Sequence, residues 1–154
     1  MDKNTFTQNI IDCEQTLYRV SMSMLRNEQD CEDAVQDTIL AAYSKLSTLK
    51  NEEFFKTWIV RILINNCNKQ LKERKKNVSS DTVLEPSAPS DEKSVEVRAA
   101  IDTLPPKIRA VVVMYYIEGF SVKEIKDVLK VPEGTVKSRL SRGRSQLSKE
   151  LCGK

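Results

Sequence analysis

Between Ser121 and Leu147 the chain reads SVKEIKDVLKVPEGTVKSRLSRGRSQL, and the Lys130-Val131-Pro132 break in its middle divides the stretch into two short helices. Ser121 followed three residues later by Glu124 is a capping box, which starts the first helix. Val122, Ile125 and Leu129 recur at spacings of three and four on one stripe of it. Pro132 suits the first turn of the second helix, where a missing N–H costs nothing. Val136, Leu140 and Leu147 give that helix an apolar stripe, with Gly143 on the same side. The opposite side carries Thr135, Lys137, Ser138, Arg139, Ser141, Arg142 and Arg144. Few arrangements bury both stripes on so short a connection, and a helix-turn-helix is the one expected.

The second helix has the chemistry of a duplex reader. Arginine neutralises phosphates and grips guanine edges bidentately, and Ser and Thr bond to bases or phosphates. A basic face that is merely solvated is the plainer reading of such a helix alone. The capped helix before it and the tight break favour DNA.

Composition bounds the rest. In 154 residues, 40% apolar and 31% charged, only small cores are possible, in one domain or two. Four Gly and five Pro argue against a many-stranded fold. Long runs of helix formers predict an all-α protein. The net charge of +3 is unevenly placed: Lys69, Lys72, Arg74, Lys75 and Lys76 crowd around the single acid Glu73. Clustering of this kind points to polyanions. Cys13, Cys31, Cys67 and Cys152 form no CxxC pair and histidine is absent. No metal site, cofactor site or His-based catalytic group is therefore expected. The N-terminal residues lack a signal-peptide core and no stretch approaches membrane-spanning length, so a cytoplasmic protein is expected.

Taken in order, residues 5–26 place Phe6, Ile10, Cys13, Leu17, Val20 and Met24 on one helical stripe. Asn27-Glu28-Gln29 interrupts it and Asp30 is the expected N-cap of the next helix. There Val35, Ile39, Ala42, Leu46 and Leu49 form the buried stripe. Its other face shows Glu32, Asp33, Gln36, Asp37 and Leu40. Helix-end electrostatics explains Glu32 and Asp33 but leaves Asp37 and Leu40 unexplained. Ser47–Glu52 reads as a loop. The run FFKTWIVRILINNCNKQLKERKK then begins apolar and ends basic. Phe55, Ile59, Ile62 and Leu63 are expected core, extended by Leu71. Trp58, between Lys56 and Arg61, packs in the core or stacks on an unpaired base. The basic end suits a helix C-terminus, but five cations exceed what an end needs, which favours phosphate contact.

Residues 77–94, NVSSDTVLEPSAPSDEKS, are rich in Ser, Pro and acids and read as a flexible linker between two small helical domains, 1–76 and 95–154. Fully extended, such a segment reaches at most about 60 Å, against about 34 Å for one duplex turn. Its acidity serves solubility, or lets it follow a channel built for nucleic acid. Val97, Ile101 and Leu104 predict a helix ending before Pro105-Pro106. The next helix, PPKIRAVVVMYYIEG, should bury Ile108, Val111, Val112, Tyr115 and Tyr116 and stop at Gly119.

VPEGTVKSRLSRGRSQL resembles the recognition helix of region 4 in bacterial RNA polymerase sigma factors of the sigma-70 family, extracytoplasmic-function group. DCEDAVQDTILAAYSKL with FFKTWIVRILINNCNKQLKERKK resembles region 2 of the same family. Together the motifs cover nearly the whole chain in the right order. Lys126 departs from a common small residue, Lys130 from a common turn glycine, and Lys69 from a common Asp. In the turn, Lys130 has to accept positive φ.

The resemblance implies a transcription initiation factor without catalytic residues or small-molecule substrate. Asp33, Gln36, Asp37 and Leu40 match the face that docks on the clamp helices of the polymerase largest subunit. The beta flap is the implied second polymerase contact. The loop Ser47–Glu52, with Leu49, Lys50 and Asn51, matches the loop that accepts a flipped base of the minus-ten element. Lys56, Trp58, Arg61, Asn65, Lys69 and Lys72 follow along the face holding the melted strand. Thr135, Lys137, Ser138, Arg139, Ser141, Arg142 and Arg144 match the face that reads the minus-thirty-five element. An anti-sigma factor, often membrane-anchored, is an implied partner. Two other readings use the same residues: a stand-alone helix-turn-helix regulator, and a metal-dependent nuclease built on Glu32, Asp33 and Asp37. The nuclease needs a converging third acid that the sequence does not indicate.

Overall fold

A computed structural model describes residues 1–76 and 92–152, and all regular elements among them are helical. The chain divides into two compact units, Met1–Leu84 and Glu85–Lys154. Residues 77–91 of the expected linker lie outside the described residues.

The first unit packs α1 (Lys3–Leu25), α2 (Glu28–Ser44) and α3 (Phe55–Lys76) each against the other two. Asp2 caps α1 by accepting the Thr5 N–H at 2.7 Å. Asn27, not Asp30, caps α2: its side chain accepts the Asp30 N–H at 3.0 Å. The reason is that Arg26 leaves α1 in the left-handed region, φ 53°, so the chain turns back a residue sooner than the polar run suggests. Asp30 then lies inside the first turn of α2.

Leu17 and Val20 are buried in the core of this unit, as are Ala34, Val35 and Ala42 on α2 and Ile59, Val60, Leu63, Ile64 and Cys67 on α3. The expected α1 stripe is in place, with Ile10 and Met24 half-buried at its margin. On α2 the stripe is centred one residue off the expectation. Cys31, Ala34 and Thr38 are buried, while Ile39, Leu46 and Leu49 are only half-buried. Small residues let α1 and α3 approach on both sides of α2. Burial pushes the Cys67 thiol up to about 12, with the neighbouring Cys31 adding to the rise. These thiols pack as small apolar groups.

Two polar ties fix the bundle's register. Asn66 on α3 donates to Oγ1 of Thr38 at 3.0 Å, and that hydroxyl donates to the Ala34 carbonyl at 2.6 Å. At the far end Arg74 pairs with Asp30 and donates to the Leu25 carbonyl at 2.9 Å. Gln70 adds a bond to the Asp30 carbonyl at 3.2 Å. Arg74 is thus a structural clamp, not one of the free cations its neighbours suggested. The loop expected over Ser47–Glu52 contains 3-10 turns at Leu46–Thr48 and Glu52–Phe54.

The second unit contains α4 (Glu92–Asp102), α5 (Pro106–Val112), α6 (Val122–Leu129) and α7 (Glu133–Cys152). Helix α4 begins three residues before the expected domain boundary. Ala100, Ile101 and Leu104 are buried but Val97 is exposed. Helix α5 runs into a single π turn, Val113–Ile117, closed by the Glu118 N–H on the Val113 carbonyl at 3.0 Å. That wider turn corrects the expected core. Val113 and Met114 rotate inward, and Tyr115 and Tyr116, expected inside, stack on each other at the surface, 5.0 Å apart. Gly119 ends the element at φ 75°, and Phe120 returns to the core. Gly143 lies where α7 crosses α5: a Cβ there would sit 2.5 Å from Val112 Cγ2 and 3.2 Å from Ile108 Cγ2.

Candidate functional site

The helix-turn-helix is α6 and α7. Ser121 Oγ accepts the Glu124 N–H and Glu124 Oε1 accepts the Ser121 N–H, both at 3.0 Å, so the expected capping box is complete. Ile125 and Val128 bury α6, with Val122 and Leu129 half-buried beside them. Lys130 ends it in the left-handed region at φ 56°, its N–H on the Lys126 carbonyl at 2.9 Å. The lysine thus performs a turn that glycine performs without strain. Lys126 is exposed, and Ile125 and Val128 are the α6 residues that are buried. Pro132 stands one residue before the start of α7, its carbonyl accepting the Val136 N–H at 3.2 Å.

Val136, Leu140 and Gly143 are buried, which sets the outward face of α7 by the 3.6-residue repeat. Ser138, Ser141 and Arg142 point away from the unit and are exposed. Thr135 and Arg139, half-buried, line one margin of that face. Lys137 and Arg144 line the other, and both carry local partners. Lys137 Nζ is 3.6 Å from Glu133 Oε1, and Arg144 donates to the Tyr116 hydroxyl at 3.2 Å. The residues of this set thus divide into a central strip and two flanks.

In the first unit, α3 gathers its outward residues into one strip. Trp58, Arg61, Asn65, Lys69 and Lys72 recur at spacings of three and four, opposite the buried Ile59, Leu63 and Cys67. All but Trp58 are exposed. Trp58 is half-buried and lies against Phe55, ring centroids 5.7 Å apart, so it packs by one face while part of it remains accessible. Lys56 does not join the strip. It falls on the α1 side, where its charge partly opposes the burial that raises the Cys13 thiol's pKa. Leu49 is half-buried and Lys50 exposed. Asn51 uses its side chain to accept the Glu53 N–H at 3.0 Å, capping its own turn.

On α2, Asp33, Gln36, Asp37 and Leu40 share one exposed face, opposite the buried Ala34, Val35, Thr38 and Ala42. Leu40 is 71% exposed, and acids flank it. Glu32 lies on the flank toward α1. Among the described residues no three carboxylate or thiol side chains gather in a way that would hold a metal ion. Phe54, absent from the residues singled out by sequence, is 60% exposed at the entrance to α3. Its signal was available: it stands four residues before Trp58.

The comparisons with known proteins agree with this geometry. The model of Sigma-70 region 2 matches residues 10–77 and that of Sigma-70, region 4 matches residues 94–147. The RNA polymerase sigma factor SigV of Bacillus subtilis is 32% identical, covering 92% of this chain and 90% of its own length. The sigma factor SigW of the same organism is 30% identical, with 97% and 90% covered. The sigma factor SigM of Mycobacterium tuberculosis is 30% identical, with 97% and 79% covered. Among solved structures, the sigma factor RpoE of Bartonella quintana, crystallised with the anti-sigma factor NepR, has the same fold at TM-score 0.80 and 23% identity. That match covers 96% of both chains. CnrH, solved with the cytosolic domain of CnrY, gives TM-score 0.72 at 24% identity, with 99% and 90% covered.

The chain belongs to the sigma-70 family of bacterial RNA polymerase sigma factors. Within that family it falls in the extracytoplasmic-function group, and it is a transcription initiation factor that brings core RNA polymerase to promoters. No helix among the described residues is long and apolar enough to cross a membrane.

Proposed function

We propose that the two outward faces of the first unit divide the work of initiation between them, in a protein that acts by binding and carries out no chemistry of its own. The α2 face, with Leu40 as apolar anchor and Asp33, Gln36 and Asp37 around it, docks on the clamp helices of the polymerase largest subunit. Acids around a central apolar side chain suit a basic partner, giving fast encounter and a fixed register. The α3 strip from Trp58 through Arg61 and Asn65 to Lys72 holds the melted strand, its cations on phosphates and its aromatic edge on a base. The turn at Leu49–Asn51 borders the pocket for a flipped base of the minus-ten element. The α7 face centred on Ser138 and Arg142 enters the major groove of the minus-thirty-five element, with Thr135 and Arg139 on one margin. The second unit also meets the beta flap.

The observation that carries this reading is the strip on α3. One helix lines up an aromatic, an amide and three cations along about 20 Å, on the side opposite its buried residues Ile59, Leu63 and Cys67. One structure of this fold, that of RpoE, holds the anti-sigma factor NepR. By extension an anti-sigma factor would restrain this chain until a signal releases it, and the site of action would be the cytoplasm.

The test is capture of purified core polymerase by the full chain. Wild-type protein should bind stoichiometrically, and Asp37→Ala with Leu40→Ala should abolish binding while leaving the helical spectrum intact. Arg61→Ala with Lys72→Ala should still bind polymerase but fail to hold open promoter DNA. A folded wild-type chain that ignores polymerase and binds duplex DNA unaided would replace this reading with that of a stand-alone regulator.

A further inference from the structure

Phe54 has a position that its apolar character does not explain. It is 60% exposed, while the adjacent Phe55 is 4% exposed and packs edge-on against Phe6 with ring centroids 5.9 Å apart. Sequence gives two like residues in succession; the fold puts one in the core and one in water. A single exposed apolar residue is ordinary on a protein surface, but this one is held in place. The Phe54 N–H bonds the Asn51 carbonyl at 3.0 Å, the Asn51 side chain fixes the preceding Glu53 N–H, and Thr57 Oγ1 donates to the Phe54 carbonyl at 3.2 Å. These bonds fix the backbone that carries the ring, so less chain has to be ordered when the ring meets a partner.

Its place is informative too. Phe54 is the last residue of the 3-10 turn Glu52–Phe54, directly before α3 and four residues before Trp58, so it stands at the Trp58 end of the strip that continues through Arg61 and Asn65. Lys50 lies exposed on the turn leading to it. An exposed aromatic at the end of a basic, amide-bearing strip is what an unpaired base stacks on, because every base offers a π face. Glu53 on the same turn disfavours a phosphate beside the ring, while Glu52 pairs with the N-terminal ammonium at 3.4 Å. That leaves its face to a base.

We infer that Phe54 is a stacking platform for one unpaired base of the melted promoter strand, extending the α3 strip by one nucleotide beyond Trp58. This rests on the assignment of α3 to the melted strand. The nucleotide would be recognised by stacking, with weak base preference. Promoters melted by this protein would then tolerate any base at that position but not its absence.

The experiment uses holoenzyme assembled from the full chain and core polymerase, with a forked promoter DNA that has a duplex upstream part and a single-stranded non-template extension. Binding is compared with that of fully duplex DNA, and abasic nucleotides are then placed one at a time along the extension. Wild-type holoenzyme should prefer the fork; if it does not, the strand-holding role of α3 fails, independently of Phe54. Given that preference, Phe54→Ala and Phe54→Leu should each lose roughly tenfold on the fork and nothing on the duplex, while Phe54→Trp retains binding. One abasic position should remove the difference between wild type and Phe54→Ala. Unchanged fork binding by the Ala and Leu variants would overturn the inference. So would a loss confined to polymerase assembly, which would make Phe54 a protein contact.

Discussion

Asn66 on α3 donates through its side-chain amide to Oγ1 of Thr38 on α2 at 3.0 Å, a side-chain bond in mid-bundle between the helix carrying Asp37 and Leu40 and the helix carrying Trp58 and Arg61. Thr38 is fully buried and passes the bond on to the Ala34 carbonyl. Removing one partner strands the other away from water. Asn66→Ala should therefore cost about 1–2 kcal/mol of stability in the first unit. Trp58 is the chain's one tryptophan, so its fluorescence in urea reads this unit selectively. A change below a few tenths of a kcal/mol would mean that water satisfies Thr38.

Arg74 and Lys72 should separate in opposite ways. Arg74 is committed to Asp30 and the Leu25 carbonyl, whereas Lys72 is exposed on the outward strip. Arg74→Met should lower the urea midpoint of the first unit and leave the salt dependence of strand binding unaltered. Lys72→Ala should leave the midpoint unaltered and reduce the slope of log K against log salt by about 0.7–1. Equal effects of both on the salt slope would place Arg74 on DNA after all.

Gly143 is the tightest point of the second unit. Alanine in a helix is worth about 1 kcal/mol over glycine. Here its methyl would press on Val112 Cγ2, a branched side chain with no room to swing. Overpacking typically costs about 1–3 kcal/mol, so Gly143→Ala should destabilise the unit on balance. In a Val112→Ala background the closer obstruction is gone and only Ile108 Cγ2 at 3.2 Å remains, so the same change should cost less or stabilise. Thermal melts followed by circular dichroism would show whether the sign reverses.

Backbone conformation makes a paired prediction at the two ends that flank α6. Lys130 sits at φ 56° and Gly119 at φ 75°. A left-handed conformation costs a non-glycine residue about 1 kcal/mol or more. Lys130→Gly should therefore raise the melting temperature of the second unit slightly. Gly119→Ala should lower it, although nothing within 4 Å would touch the added methyl. A neutral Gly119→Ala would show that the π turn relaxes to accommodate it.

The buried thiols predict alkaline sensitivity in the first unit. Burial raises the Cys67 pKa to about 12 from an ordinary 9.0, with Cys31 adding to the rise. Below pH 9 folded and unfolded chains both keep this proton. Between pH 9 and 12 the unfolded chain has lost it and the folded chain has not. Stability then falls as pH rises, by up to about 1.4 kcal/mol per unit for one thiol. Cys67→Ala should flatten that part of the Trp58-monitored stability curve while lowering its starting value.

Much of the site could be read from residue order because helices repeat at 3.6. The spacing of Trp58, Arg61, Asn65, Lys69 and Lys72 fixes them to one side of α3 wherever the helix packs, and the same holds for Asp33, Gln36, Asp37 and Leu40 on α2. Lys56 escaped that logic only because it was grouped by proximity in sequence rather than by helical angle. Arg74 escaped because its partners, Asp30 and the Leu25 carbonyl, are more than forty residues away. Tyr115 and Tyr116 were misplaced by a single extra residue in one turn, which rotates everything after Val112.

The helices, the capping box at Ser121 and the turn at Lys130 are legible in residue order because they depend on contacts within a few residues. Tertiary structure decided which polar groups are spent inside the protein. Arg74 is spent on Asp30 and Asn66 on Thr38, while Lys69 and Lys72 are left to solvent. It also decided that Phe55 is buried and Phe54 is not. Such choices depend on what packs across from a side chain, and only the assembled bundle supplies that neighbour.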